Sequence, residues 1–513
     1  MGVISRVMSA FRLNGGGNNS FEAAGTGRRL RGFNPSRNHV NVAIAAAGPT
    51  LVARARWLYE NDGHAGNAVD EWTSAAVGDG IKPRPRFKGR KETKQKLLDL
   101  FWRWTEEADA EGLTDYYGLQ EKIAREAYMA GECFVRIRSR RRSDMWTVPF
   151  QLQMLPTEML DMAFTASLPG GNFIVAGIEF NAIGARVAYH FWRFHPNDVR
   201  PPNTTKARDR VRVPAAEVLH VFDGRQGGQI RGVPRVARVL VKIFGLEVYD
   251  DAEIERKKTA ALFTAFLIGR GENPIAVNDD EDGDDEDTPI AGMEPGAIID
   301  LGMDKDIKFS TPAEVGGSYE AFQYRTTLKI FAGLGVPYSI GTGDMTKGNF
   351  SNVRTAIVAF RRRISQWQNN TLIFQLCRPV WIAFVERAVM AGMADLPGYD
   401  TDPTEYWACD HLPPRQEWLD PAKDIKAEKD AISGGLKSRT QSVAERGYDR
   451  EDIDAEIAEE RAAAKAAGLV FDTDGSVPAP APMPGAPPSA PDDDKADDDD
   501  DKADSEEDMK NAA

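Results

Sequence analysis

Apolar positions recur every three to four residues from Asn41 through Leu51, Ala55, Leu58, Ala65, Val69 and Trp72, which predicts helix. Gly78 and Gly80 end that run, and Pro83 and Pro85 follow as stop signals. The same period predicts helices over residues 93–106 (Leu97, Leu100, Phe101, Trp104) and 117–130. At Glu132-Cys133-Phe134-Val135-Arg136-Ile137-Arg138 the period drops to two, as in a strand. Residues 151–154, 177–180, 187–194 and 218–222 read as further short strands separated by Pro and Gly. The fold class is therefore α+β, predominantly helical.

Helical period returns over residues 234–267, where Val236, Leu240, Ile243, Glu247, Asp251, Ile254, Lys258, Ala261 and Ala265 trace one side. A helix of up to about 34 residues would be about 50 Å long. Its natural partner is residues 319–333, and a strand-like excursion with Ala297-Ile298-Ile299-Asp300-Leu301 lies between them. The second helix ends at Gly335-Val336-Pro337. A loop follows, Gly341-Thr342-Gly343-Asp344-Met345-Thr346-Lys347-Gly348, with one lysine near its tip. Ser351 and Asn352 then open a long helix over 352–390 that Pro379 should kink. Pro413 and Pro414 mark a boundary before Ala/Glu/Lys/Arg-rich helices over 416–470, broken at Gly434-Gly435 and Gly447. Residues 1–38, rich in Gly, Asn and Arg, read as a flexible arm, and residues beyond Phe471 as a disordered Pro/Ala and acidic tail.

The formal charge of -14 is unevenly placed. From Asp472 onward 14 acids face 3 lysines, and Asp279 to Asp287 holds eight acids in nine residues. Removing both leaves +5, which equals the contribution of the first 38 residues, so the body is close to neutral. A dedicated nucleic-acid binder draws affinity from released counterions and carries a basic footprint. The near-neutral body carries no such footprint. Length, 513 residues, allows two to four domains and a large core. Three unpaired-looking cysteines (Cys133, Cys377, Cys409) predict a reducing compartment without disulfides. We expect no signal peptide, and the apolar segments 259–269 and 372–390 are too short or too charged to span a bilayer, which predicts a soluble protein.

Candidate catalytic chemistry is sparse. The six histidines form no HExxH or HxH, and the cysteines no CxxC. The acidic run places Asn278, Asp280 and Asp282 at calcium-loop positions one, three and five, but Pro289 stands where a bidentate Glu is required. The loop at 341–348 has Lys and Gly in the wrong order for a phosphate-binding loop, and no strand precedes it. No cofactor or metal is expected. The remaining candidates are basic: Arg136 and Arg138 alternate on a strand face with Arg140, and Arg354 sits on the long helix. Such groups serve as salt-bridging partners or as contacts to DNA phosphates.

Several local marks, in order, resemble the lambda-type portal proteins of tailed bacteriophages and prophages over roughly residues 40–470. They are Leu58-Tyr59-Glu60-Asn61-Asp62 with Asn67-Ala68-Val69-Asp70, Val77-Gly78-Asp79-Gly80-Ile81, Gly131-Glu132-Cys133-Phe134, Leu155-Pro156-Thr157-Glu158 and Gly228-Gln229-Ile230-Arg231-Gly232-Val233-Pro234, followed by the loop and helix at 335–354. The resemblance implies a structural homo-oligomer, commonly a dodecameric ring at one capsid vertex, made in the host bacterial cytoplasm and carried in the virion. It implies passage of double-stranded DNA without sequence specificity. It implies docking of the terminase large subunit, of head-completion and adaptor proteins, and of the major capsid and scaffold proteins, with no membrane.

By the same resemblance residues 1–38 are an arm, 39–233 the first part of a wing, 234–267 a first stem helix and 268–318 a clip with the acidic insert. Residues 319–340 form a second stem helix, 341–351 the tunnel loop, 352–412 the kinked helix and second wing part, 413–470 a crown, and 471–513 the tail. The loop residues Gly341, Thr342, Gly343, Asp344, Met345, Thr346, Lys347 and Gly348 would face DNA, with Lys347 the candidate phosphate contact. Two other classes stay open at this point: a metal-dependent DNA-processing enzyme built from scattered acids, and a non-ring scaffold or adaptor.

Overall fold

The computed structural model describes residues 28–87, 91–199, 209–261, 265–269, 305–309, 318–414, 417 and 420–469. The expected arm up to residue 27, the acidic run 279–287, the segment 297–301 and the tail lie outside the described residues. The chain forms two compact units, Met1–Tyr448 and Asp449–Ala513. The segment expected over 413–470 is thus divided. Helices Pro421–Ser433 and Arg439–Ala444 belong to the first unit, and Arg450–Ala467, capped by the Asp449 carboxylate, to the second.

The apolar run from Asn41 to Val77 is two helices, α1 (Val40–Asn61) and α2 (Gly63–Val77). Asp62 between them is extended, and its carboxylate accepts the Ala65 N–H at 2.5 Å, so it caps the second helix rather than continuing the first. Strand β1 (Lys82–Pro85) comes next, then α3 (Lys91–Thr105) and α4 (Tyr116–Met129). Pro83 and Pro85 read as stop signals, yet β1 pairs antiparallel with Cys409–Leu412 at a two-stranded edge. A proline is tolerated there because the outward side of the ladder needs no donor.

Strand β2 (Glu132–Ser139) is central to a three-stranded antiparallel sheet, between β3 (Phe150–Leu155) and β9 (Val218–Phe222). The intervening chain makes a five-stranded antiparallel meander of β4 (Ala166–Ser167), β5 (Phe173–Val175), β6 (Ile178–Phe180), β7 (Arg186–Trp192) and β8 (Arg210–Pro214). The pattern reading found β6 and β7 but missed β4 and β5, which are too brief to show alternation, and β8, whose Arg-Val-Arg-Val does alternate.

Helix α5 (Leu240–Ala261) has 22 residues instead of about 34. A tight turn at Arg235–Arg238 precedes it, and beyond it β10 (Ala265–Gly269) pairs antiparallel with β11 (Lys305–Phe309). The aromatic and β-branched content of Ala265-Phe266-Leu267-Ile268 favours that strand over a last helical turn. Helix α6 (Ser318–Leu334) is the expected partner of α5, and Tyr249 meets Tyr319 and Phe322 at centroid separations of 6.0 and 5.2 Å. A short α7 (Tyr338–Thr342) leads to α8 (Phe350–Trp367). Helical backbone then continues through a π-helical stretch, Gln368–Cys377, into α9 (Arg378–Met390). Pro379 has no N–H to give, and the wider turns before it, with Arg378 N–H bonded to Ile373 C=O, carry the chain past it. Trp72, Trp104, Trp381, Tyr116 and Phe384 are fully buried where α2, α3, α4 and α9 meet.

Three of the sequence marks converge on one buried polar node. Glu132, wholly buried, accepts from Arg231 Nε at 2.7 Å, from His220 Nε2 at 3.0 Å, from the Gly232 N–H at 2.7 Å and from Thr157 Oγ1 at 3.1 Å. Arg231, 1% exposed, also donates to the Ala176 carbonyl at 2.9 Å. The node needs Gly131 at φ +92°, with its backbone against that of Val233 and Pro234, where a Cβ has no room. Nearby, Arg56 of α1 clamps Glu126 and Glu158, both at 2.6 Å.

Burial alone would raise the Glu132 carboxyl, but Arg231 and His220 hold it down at about 2. Burial pushes the His220 imidazole down to about 4 despite its carboxylate partner. It therefore stays neutral, donating through Nε2, and its Nδ1 has no partner.

Two outcomes follow. Arg231→Met should lower the urea-unfolding stability of the unassembled chain by about 3–5 kcal/mol, because Glu132 is left charged and buried, and pairing it with Glu132→Gln should recover most of the loss. Second, both folded pKa values lie below the unfolded ones, so the unfolded chain binds more protons and stability is lost as pH is lowered. His220 acts between roughly 6.5 and 4 and Glu132 between roughly 4.5 and 2. His220→Gln should flatten the decline in melting temperature between pH 6.5 and 4, whereas an unchanged slope would show that His220 is protonated in the fold.

Candidate functional site

The loop expected over 341–348 begins at the end of α6. Gly335 leaves that helix in a left-handed conformation, φ +85°, with its N–H bonded to Phe331 C=O at 2.8 Å. Pro337 starts α7 without needing a donor. Gly341 and Thr342 are therefore the last turn of a short helix rather than loop. Gly341 is buried, and its missing side chain lets the Phe331 ring lie against the backbone. Its carbonyl accepts from the Asn67 amide of α2 at 2.6 Å, which ties the Asn67-Ala68-Val69-Asp70 mark to the loop.

The turn itself runs from Gly343, φ +72°, to Gly348. Asp344 organises it. One carboxylate oxygen accepts from the Thr346 N–H at 2.9 Å and the Thr346 hydroxyl at 2.5 Å, and the other accepts from Tyr338 OH at 2.9 Å. These donors, Thr346 first, hold the Asp344 carboxyl below its ordinary value. The Asn349 side chain caps α8 by accepting the Asn352 N–H at 2.8 Å, so both loop ends are anchored in helices. Met345 is half exposed between them.

Lys347 is not a bare charge at a tip. Its Nζ donates to Glu320 of α6 at 2.7 Å and lies 4.4 Å from the Tyr324 ring centroid. The pair holds the Glu320 carboxyl below and the Lys347 ammonium above their usual ranges. Glu320 and Tyr324 are four apart on one face of α6, a spacing visible in the sequence, but only the turn geometry says which residue they meet.

The other basic candidates are spent on internal ties, and the fold does not bring them to the loop. Arg136 reaches Glu217 at 3.4 Å, Arg138 donates to Gln153 at 3.1 Å, and Arg140 donates to Gln151 at 2.7 Å. Arg354 lies 3.5 Å from Asp424, joining α8 to the helix at Pro421–Ser433. His190 and Arg212 both hold Glu179, at 3.1 and 2.7 Å. Among the described residues no three His, Cys, Asp or Glu side chains converge as a metal site would require, and no helix is long and apolar enough to cross a membrane. Cys133, Cys377 and Cys409 are free thiols, the first two buried.

Comparison with known proteins bears on this arrangement. The chain is 26% identical over 344 residues to the probable portal protein of Halomonas phage phiHAP-1, spanning 64% of this chain and 62% of that relative's length. It is 22% identical over 489 residues to portal protein B of Escherichia phage lambda, covering 87% of this chain and 90% of the relative. Against the portal protein of Escherichia phage N15 it is 21% identical over 481 residues, with the same two coverages. Among solved structures, the neck of the native GTA particle computed with C12 symmetry contains a chain with a TM-score of 0.41 at 13% identity, over 82% of this chain and 97% of that one. The model of the family described as phage portal protein, lambda family, matches residues 26–368. That span is about two thirds of the 513 residues and takes in both the buried node and the loop, so the chain belongs to the lambda family of phage portal proteins.

Proposed function

We propose that this chain forms a ring of about twelve subunits at one capsid vertex and acts there as the conduit for double-stranded DNA in packaging and ejection. Family membership over residues 26–368 is the observation that carries this reading. A portal protein is a structural component of the virion rather than an enzyme. In the proposed arrangement α5 and α6 are the stem, with β10 and β11 leading into and out of the clip. Residues 39–233 and 352–412 form the wing, and the helices after Pro414 the crown. The terminase large subunit and the head-completion proteins dock at the clip end, and the capsid and scaffold proteins around the wing.

In the same reading the turn over 343–348 faces the channel. Its one cation, Lys347, is already paired with Glu320, so a passing phosphate competes for it and is released again. A weak, salt-sensitive and sequence-independent contact is what sliding requires, since each firmly held phosphate adds affinity and therefore friction.

Negative-stain microscopy of the full chain together with light-scattering mass is the decisive test. Rings with a central hole and about a dozen 56.5 kDa subunits are expected. A persistent monomer that hydrolyses DNA with Mg²⁺ would replace this reading with the nuclease one. For the loop, Lys347→Ala should increase slipping of DNA during packaging at low salt, while Glu320→Gln, which releases the lysine, should reduce it. Normal packaging under load by Lys347→Ala would remove Lys347 from the channel.

A further inference from the structure

Helix α6 has two faces of opposite character. At 100° per residue Gln323, Thr327 and Ile330 share one side, and Ala321, Arg325, Leu328 and Ala332 the other, with Lys329 beside them. The first side helps line a recess of about 370 Å³ together with α5 and the turn between α1 and α2. Four carboxylates surround that recess: Asp62, Glu247, Asp250 and Asp251. Asp62 is used as the cap of α2, and Asp250 accepts from Tyr319 and Gln323. Glu247 and Asp251 have no cationic partner among the described residues. Burial, a hydrogen bond with Asp62 and the charges of Asp62, Asp251 and Asp250 raise the Glu247 carboxyl above its ordinary value, so the carboxylates of this recess crowd one another. Beside Glu247 and Asp251 on the helix surface of α5, Phe244 and Val248 expose 56% and 52% of their surface.

The opposite face of α6 carries the complement. Arg325 and Lys329 are exposed and make no ion pair or hydrogen bond with the described residues, and Leu328 and Ala332 are exposed beside them. Lys347 and Glu320 lie to one side and leave this face open. One chain therefore presents cations beside an exposed leucine on one side, and carboxylates without a cationic partner beside exposed Phe and Val on the other.

We propose that these two surfaces bind each other between copies of the chain. The outward face of α6 in one subunit seats against the acidic recess of the next, with Arg325 and Lys329 reaching Glu247 and Asp251 while Leu328 covers Phe244 and Val248. The occupant is a second copy because every chain carries both halves of the match, the acidic one on α5 and the basic one on the far side of α6. Repeating one such head-to-tail contact around an axis closes a ring, whereas a two-fold contact would set like charge against like. The inference rests on the ring reading above and names the contact that builds it.

Charge reversal on the full-length protein tests it. One variant carries Arg325→Glu and Lys329→Glu, the other Glu247→Lys and Asp251→Lys. Each alone then opposes like charges in every contact and should remain a monomer by sedimentation, at a salt where the wild type forms rings. Mixed in equal amounts they are complementary in both directions and should regain the wild-type mass as alternating rings. Ring formation by either variant alone overturns the proposal, as does failure of the mixture when both show wild-type circular dichroism and melting. If a reversal misfolds, Arg325→Gln with Lys329→Gln should dissociate at lower salt than the wild type, and an unchanged salt midpoint overturns the proposal. A wild-type chain that stays monomeric removes the ring reading and this contact together, whereas rings from both variants remove the contact alone.

Discussion

The first unit depends on a charge that has been taken out of water. Glu132 is wholly buried in the central strand of its sheet, and a carboxylate there is tolerable only because Arg231, His220, Thr157 and the Gly232 backbone saturate it. Those partners come from separate stretches of chain: the turn after β3, β9 and the segment leading into α5. Apolar side chains could fill the same space with less desolvation cost. What they could not do is demand this register, since a slipped strand would leave the carboxylate unpaired. We read the node as the lock that sets where the chain leaves the sheets and enters the α5–α6 pair.

The consequence reaches the loop. Arg231 and Pro234 stand just before α5, α6 packs on α5, and α6 ends at the turn that carries Asp344 and Lys347. The turn is fixed at both ends by helix caps, internally by Asp344, and underneath by Asn67. Its charge is balanced locally by Glu320. Anchored in this way and balanced in charge, the turn offers no unpaired cation of its own. The near-neutral body outside the termini and acidic insert follows the same logic at larger scale.

Much of this was legible in the residues themselves. Helical period located α3, α4, α6, the end of α2 and the 350–390 run to within a few positions, because each buries one continuous face. Alternation located β2 and β9 for the corresponding reason. The motifs containing Glu132, Thr157 and Arg231 stood out individually as family marks. Nothing in the linear order says that they touch, since the pairing spans 99 residues between Glu132 and Arg231.

Periodicity failed where the deciding partner was remote or the signal local and small. One capping aspartate divided the first helical run, β1 formed from a Pro-containing segment because Cys409–Leu412 lay alongside it, and α5 gave up its last turns to a strand pairing. By itself the sequence determined the element types, the family and the segregation of charge into termini and insert, because these depend on near neighbours and on composition. Only the tertiary structure decided which charges are spent. It put Arg136, Arg138 and Arg354 into internal ties, laid Lys347 on Glu320, and left Arg325 and Lys329 open, because ion pairing is set by distances in space that spacing along a chain does not encode.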